Sequence, residues 1–217
     1  MIKHKQVSLA GQIFDTMEKE ILSGTLERGA TYTETEIAAK LGVSRTPVRE
    51  AIGRLVQENM VEDTNKGIKI LGISPEDAVT IYRIREKLEG MAAREAAAKI
   101  TDDQLKEMED GLDYHEYCLS KEDYDKAYEC DNDFHEILYR ASQNQVLYNT
   151  LLPLHRKIQK YRRIAVHDTT RAIKSHNEHK VIFAALKAHD QDRAEAAITK
   201  HIGNARANAE KKLREDK

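Results

Sequence analysis

The run Leu41-Gly42-Val43-Ser44-Arg45-Thr46-Pro47-Val48-Arg49-Glu50-Ala51-Ile52 constrains this chain more than any other segment. It reads as a tight turn that feeds a helix. Val48, Ala51, Ile52, Leu55 and Val56 recur at helical spacing, so one stripe faces a core. Ser44 stands where an N-cap belongs. Pro47 falls in the first turn, where a missing N–H costs no helical bond. Thr46, Arg49, Glu50 and Gly53 point away from the stripe, and Arg45 lies at its edge. An apolar underside with a basic N-terminal end is what a helix needs to read base edges in a DNA major groove.

The flanking residues supply the rest of such a head. The periodicity predicts a helix from about Ser8 to Ser23, with Ile13, Phe14, Met17, Ile21 and Leu22 inward and Gly24 as its stop. Arg28-Gly29-Ala30 reads as a loop. A short helix over about Glu34 to Leu41 turns Ile37, Ala38 and Leu41 inward. Val61-Glu62-Asp63 and Ile68-Lys69-Ile70-Leu71 flank Asn65-Lys66-Gly67 and read as a β-hairpin. Three helices and a hairpin make a winged helix-turn-helix over residues 1–73. That segment is neutral, with ten Lys+Arg against ten Asp+Glu. Any DNA surface is therefore a local patch at Arg45, Arg49, Arg54, Lys66 and Lys69.

Residues 74–217 read as an all-helical bundle. Ser74-Pro75-Glu76-Asp77 is a strong helix start. Helices are predicted near 75–99, 102–119, 121–142, 146–166, 170–188 and 191–213. Thr101 opens a capping box with Gln104, Asp190 caps the last helix, and Pro153 is expected to kink or interrupt its own. A charged fraction of 33%, 6% aromatics and no Trp favour this helical reading over a β-sandwich. The expected fold is mainly α, with a winged helix-turn-helix before a bundle of about six helices. Two cysteines suit a reducing compartment and offer no disulfide framework. The N-terminus has no apolar signal core, and no segment is apolar enough to span a bilayer, so a cytoplasmic location is expected.

Two sets of residues carry a family resemblance across nearly the whole chain. Ile21-Leu22-Ser23-Gly24, the run from Leu41 to Ala51, Leu55 and Gly67 resemble the GntR family of bacterial transcription regulators. The stretch Tyr82 to Glu89, Asp131-Asn132-Asp133-Phe134-His135, Asn144, Glu178-His179 and His201 resemble the FCD effector domain of its FadR/VanR branch.

Eight of nine histidines lie beyond residue 110. Asp131 and His135 are four apart, on a helix face that carries Leu138. His179 shares a face with Ile182, Phe183 and Leu186, and His201 sits in the stripe Ala194, Ile198, Ile202, Ala205. Buried imidazoles and a buried carboxylate are costly unless paired or coordinated. Each histidine alone reads as a hydrogen-bonded core residue. Brought together, Asp131, His135, His179 and His201 would form a three-nitrogen, one-oxygen metal site, and the FCD resemblance implies the same ligand set. Zn, Ni, Fe and Mn all suit those donors. Arg85 is the candidate effector-binding residue, able to hold a carboxylate bidentately. Its alternative is an ion pair with Glu89. Arg162 and Arg163 are weaker pocket candidates, with a solvated face as the favoured reading. His115, His155, His167, His176 and His189 read as surface or pocket-wall residues, with His176 near enough to His179 to line the same cavity.

Resemblance and geometry together put Ser44, Arg45, Thr46 and Arg49 on DNA, with Lys66 and Gly67 reaching from the wing. Thr35 stands where some relatives carry a basic residue. Arg54, on the far flank, is a candidate intramolecular ion pair. The expected function is a ligand-responsive, dimeric transcription regulator on a roughly palindromic operator. The resemblance implies a small organic or sugar acid as effector, commonly relieving repression. The alternatives are a metal that is itself the signal, a long acyl ligand with no metal, and a mononuclear metalloenzyme. The last has no HExxH and no nucleophile constellation to support it.

Overall fold

The computed structural model describes residues 8–215, and the chain divides into two compact units between Ser74 and Pro75. The first unit holds α1 (Leu9–Ser23), β1 (Thr31–Tyr32), α2 (Glu34–Leu41), α3 (Arg45–Gln57), β2 (Val61–Thr64) and β3 (Gly67–Ile70). Ser8 caps α1 by accepting from the Gly11 N–H, and Gly24 ends it in the left-handed conformation at φ 84°. Thr33 and Glu36 form a reciprocal capping box on α2. The predicted stripe of α3 is buried at Val48, Ala51, Ile52 and Leu55. Val56 departs from it and is 38% exposed, because the stripe rotates past the core at the end of the helix. One core joins α1, α2 and α3 to Val61, Ile68 and Ile70 of the hairpin.

The hairpin closes through a two-residue turn, Asn65-Lys66, with Thr64 opposite Gly67. A short strand that the sequence reading left unassigned follows the Arg28–Ala30 loop. Thr31 and Tyr32 of β1 pair antiparallel with Lys69 and Ile68, giving the order β1-β3-β2. Two residues are too few for a strand pattern to show in sequence. Gly67 belongs to this contact. Its φ is 122°, and a Cβ there would lie 2.7 Å from the Tyr32 carbonyl oxygen.

The second unit holds seven helices where six were predicted: α4 (Pro75–Lys99), α5 (Asp102–Ser120), α6 (Tyr124–Ala141), α7 (Gln145–Lys157), α8 (Gln159–Val166), α9 (Thr169–Lys187) and α10 (Gln191–Glu215). Thr101 and Gln104 form the expected capping box, and the Asp190 carboxylate accepts from the Arg193 N–H. The predicted helix over 146–166 breaks at Ile158, while Pro153 stays inside α7. Ile158 is fully buried at φ −101°, ψ 17°, so packing of its side chain sets the break. The long helices α4 and α10 lie against each other. At Gly90 the packing is tight: a Cβ there would stand 2.9 Å from Thr199 Oγ1 of α10.

Candidate functional site

The N-terminal unit presents its basic groups at one helix end. Ser44, Arg45, Thr46 and Arg49 are exposed on the first turns of α3. Ser44 occupies the N-cap position at ψ 162°, yet its hydroxyl makes no capping bond. The hydroxyl is therefore open to an outside partner such as a phosphate. Lys66 is exposed at the hairpin turn, and Gly67 is half-buried beside it. Glu34, at the start of α2, holds both arginines. It accepts from Arg49 Nε and Nη2 at 2.8 Å each and from Arg45 Nη2 at 3.3 Å. The Arg49 hydrogen bonds, with Arg45 behind them, lower the Glu34 carboxyl to about 2. Sequence reasoning missed Glu34, because nothing in its spacing says that the α2 start meets the α3 start. Arg54 makes no ion pair among the described residues. Its guanidinium lies 3.9 Å from the Phe14 ring centroid, a cation–π contact in place of the expected pair.

The C-terminal unit gathers the predicted ligand set inside the bundle. Asp131 and His135 come from α6, His179 from α9 and His201 from α10. Each is less than a tenth exposed. The ligating nitrogens of His135, His179 and His201 can all lie within 4.8 Å of one another. His179 Nε2 is 3.3 Å from His201 Nε2 and 3.6 Å from Asp131 Oδ1.

A shell of charged side chains orients these donors. His135 Nδ1 is 3.0 Å from Glu89 Oε2, and His201 Nδ1 is 2.7 Å from Glu178 Oε2. A carboxylate accepts, so both histidines carry their proton on Nδ1. Both Nε2 lone pairs then point inward, the orientation that metal-bound histidines take from carboxylate partners. Arg85 Nε donates to Glu89 at 2.7 Å, and Arg171 grips Glu178 with both nitrogens at 3.1 and 3.0 Å. Arg162 donates to Asp131 and, at 2.7 Å, to Asn132.

Burial raises the Glu89 carboxyl, but Arg85 and His135 outweigh it and bring it to about 2. Burial also raises Glu178, and the bonds from His201 and Arg171 bring that group to about 2. Asp131 is held well below its usual range, its burial outweighed by Arg162, His179 and His135. Burial lowers His135, and burial plus the neighbouring His201 lowers His179 well below the usual value. Neutral imidazoles beside an ionised carboxylate are the states a divalent cation requires. The donor set thus fits a metal.

Several expectations change here. Arg85 lines the central cavity, but its Nε is spent on Glu89. Arg162 is not on a solvated face; it is 6% exposed and bound to Asp131, because the break at Ile158 turns α8 inward. Arg163, beside it, is exposed and pairs with Asp125 at 2.7 Å. His115, His155 and His176 are buried, and of these His115 takes the pocket-wall position the sequence allowed, lining a cavity between α5 and α6. His155 bridges Tyr139 and Asn132 at 3.4 and 3.2 Å. Glu89 and Glu178 are the orienting residues that sequence reasoning did not assign. Their signal was present in Glu178-His179 and in the four-residue step from Arg85 to Glu89.

A winged helix-turn-helix with exposed arginines at its reading end defines a DNA-binding transcription regulator. Comparison with known proteins makes the assignment specific. Residues 9–68 match the family described as bacterial regulatory proteins, gntR family, and residues 80–204 match the FCD domain. The chain is 27% identical over 192 residues to the HTH-type transcriptional repressor RspR of Escherichia coli K12, covering 88% of this chain and 84% of that protein. It is 30% identical over 207 residues to a probable D-xylose utilization operon transcriptional repressor of Paenarthrobacter nicotinovorans, covering 91% and 87%. The solved structure of E. coli McbR/YncC shares the fold, with a TM-score of 0.79 at 23% identity over 96% of this chain and all of that one. This protein belongs to the gntR family and carries an FCD domain; it is a transcription regulator and not an enzyme. No helix among the described residues is long and apolar enough to cross a membrane.

Proposed function

We propose that this protein is a repressor whose helical domain holds a divalent metal ion and responds to a small carboxylate effector. The convergence of three buried imidazoles, two of them oriented by carboxylates, carries the reading. Asp131, His135, His179 and His201 would hold the ion. The ion would supply a Lewis-acid anchor for an effector carboxylate. Arg85, Arg162 and Arg171 line the same cavity and would take the effector's remaining oxygens.

The cavity measures about 40 Å³, room for an ion and its water rather than a whole sugar acid. Effector entry therefore has to part the arginine–carboxylate pairs around it. That opening is the two-state element through which a ligand would bias DNA binding. A relative named for D-xylose utilization supports a sugar-derived effector. We further propose that the protein acts as a homodimer in the cytoplasm on a roughly palindromic operator, read by Ser44, Arg45, Thr46 and Arg49 with Lys66 and Gly67 on the wing.

The test is metal content by elemental analysis, paired with thermal shift against organic and sugar acids before and after chelation. Wild type should carry about one ion per chain, and His201→Ala should carry little while its head still binds DNA. Full occupancy in that variant would sink the ligand assignment. A shift that survives chelation would sink the metal-anchored effector.

A further inference from the structure

Three buried ring nitrogens of the helical unit have no hydrogen bond among the described residues: Nδ1 and Nε2 of His176, and Nδ1 of His179. His179 belongs to the proposed ligand set, but His176 does not. Both nitrogens of His176 are unpartnered although its ring is only 3% exposed. Such a ring has given up water and gained no partner in exchange, which calls for an occupant beside it.

The neighbours of His176 are donors too. His115, buried on α5, has its ring centroid 4.9 Å from that of His176 on α9. Two imidazoles on one tetrahedral ion have centroids about 5 Å apart, given metal–nitrogen bonds of about 2.0–2.1 Å. The three imidazoles of the central set stand 4.6 to 5.3 Å apart by the same measure. Glu116 Oε2 lies 3.9 Å from His176 Nε2, too far for a hydrogen bond but close enough for one ion to touch both. These donors are less closely gathered than the central set, and closing them moves only an exposed side chain. Glu116 is 61% exposed and pairs with Lys180 at 2.8 Å, a surface contact that is cheap to exchange. Asp113, three residues earlier on α5, adds negative charge beside His176. Burial, with His115 and Lys180 adding to it, lowers His176 to about 4, so the ring is neutral and offers a lone pair near pH 7.

We propose that His115, His176 and Glu116 form a second site for a divalent transition-metal ion, one that joins α5 to α9. Two imidazoles and a carboxylate suit Zn, Ni or Cu, with water in the remaining position. The site uses none of the four central ligands, so it does not rest on the reading of that centre. It has fewer protein ligands and must displace Lys180, so it holds its ion more weakly and fills only when metal is added. An ion there would clamp α9 to α5 one turn from His179, which gives metal supply a second point of action on the helical unit.

Isothermal titration of the chelated full chain with zinc chloride tests this. Wild type should take up a tighter and a weaker ion. His176→Phe keeps a ring against His115 and should lose the weaker ion alone, while His201→Ala should lose the tighter ion and keep the weaker. Lys180→Met frees Glu116 and should tighten the weaker ion several-fold. Glu116→Gln removes a direct ligand and should weaken it by more than the roughly tenfold typical of outer-shell changes. Both of those side chains are exposed, so neither change threatens the fold. The proposal is overturned if His201→Ala binds no zinc, if His176→Phe keeps the weaker ion undiminished, or if Lys180→Met and Glu116→Gln match wild type. Should His176→Phe fail to fold, the two surface variants decide. A wild type that takes up only the ion lost with His176 would overturn the central assignment and leave this one standing.

Discussion

Glu34 shows how a single side chain sets the state of the reading head. It neutralises Arg49 and Arg45 while holding both at the end of α3. Arg49→Ala should cost about 1–3 kcal/mol of operator affinity if Arg49 reads a base, and unchanged gel-shift affinity would remove it from the reading set. Glu34→Ala should act differently. It removes a negative charge beside the DNA surface, so non-specific affinity should rise and the ratio of specific to non-specific binding should fall. Competition gel shifts at two salt concentrations would check this. The pH sense follows from the depressed Glu34 pKa. The pair is intact above about 4.5 and is lost as pH falls toward about 2, so operator binding near neutrality should not depend on Glu34 ionisation.

At the scale of elements, local signals and packing divided the work. Caps at Thr101 and Asp190 are local side chain-to-backbone bonds, which is why their spacing was readable. The split of α7 from α8 was not readable, since it depends on where a buried Ile158 finds room. Pro153→Ala should therefore leave the break at Ile158 and hold or raise the melting temperature, because α7 regains a backbone donor. A lower melting temperature would assign Pro153 a packing role. Gly67 makes the opposite case. Gly67→Ala should destabilise the N-terminal unit by about 1–3 kcal/mol, from strain and from the clash with the Tyr32 carbonyl. Chemical denaturation without DNA measures that cost apart from any contact the wing makes with the operator.

Over the whole molecule, the polar interior of the helical unit decides its response to acid and to chelators. His135, His155 and His179 are buried with lowered pKa values, so the unfolded chain takes up protons first as pH falls through about 6.5. Glu89 and Glu178 follow: their stabilisation is complete above about 4.5 and is lost toward about 2. Both effects have one sign, so the helical unit should lose stability below neutrality in two stages. The N-terminal unit has no such buried cluster among its described residues. Calorimetry of the full chain should show the helical transition falling with pH and with chelation while the other moves little. A helical transition indifferent to both would argue against a metal held by this cluster.

Sequence alone determined the head and the elements other than β1 and the α7–α8 break, because helical period, caps and the run from Leu41 to Ile52 are short-range properties of neighbouring residues. It also marked Asp131, His135, His179 and His201 as polar groups on apolar faces, since period places a residue on a face. Tertiary structure alone decided what those faces meet. It turned Arg162 inward onto Asp131, set Glu89 and Glu178 behind two imidazoles, and brought Glu34 to Arg49. Each of these contacts joins residues on different helices. Their energies depend on distance in space and on the water excluded between helices, and neither quantity is written in the order of residues along one helix.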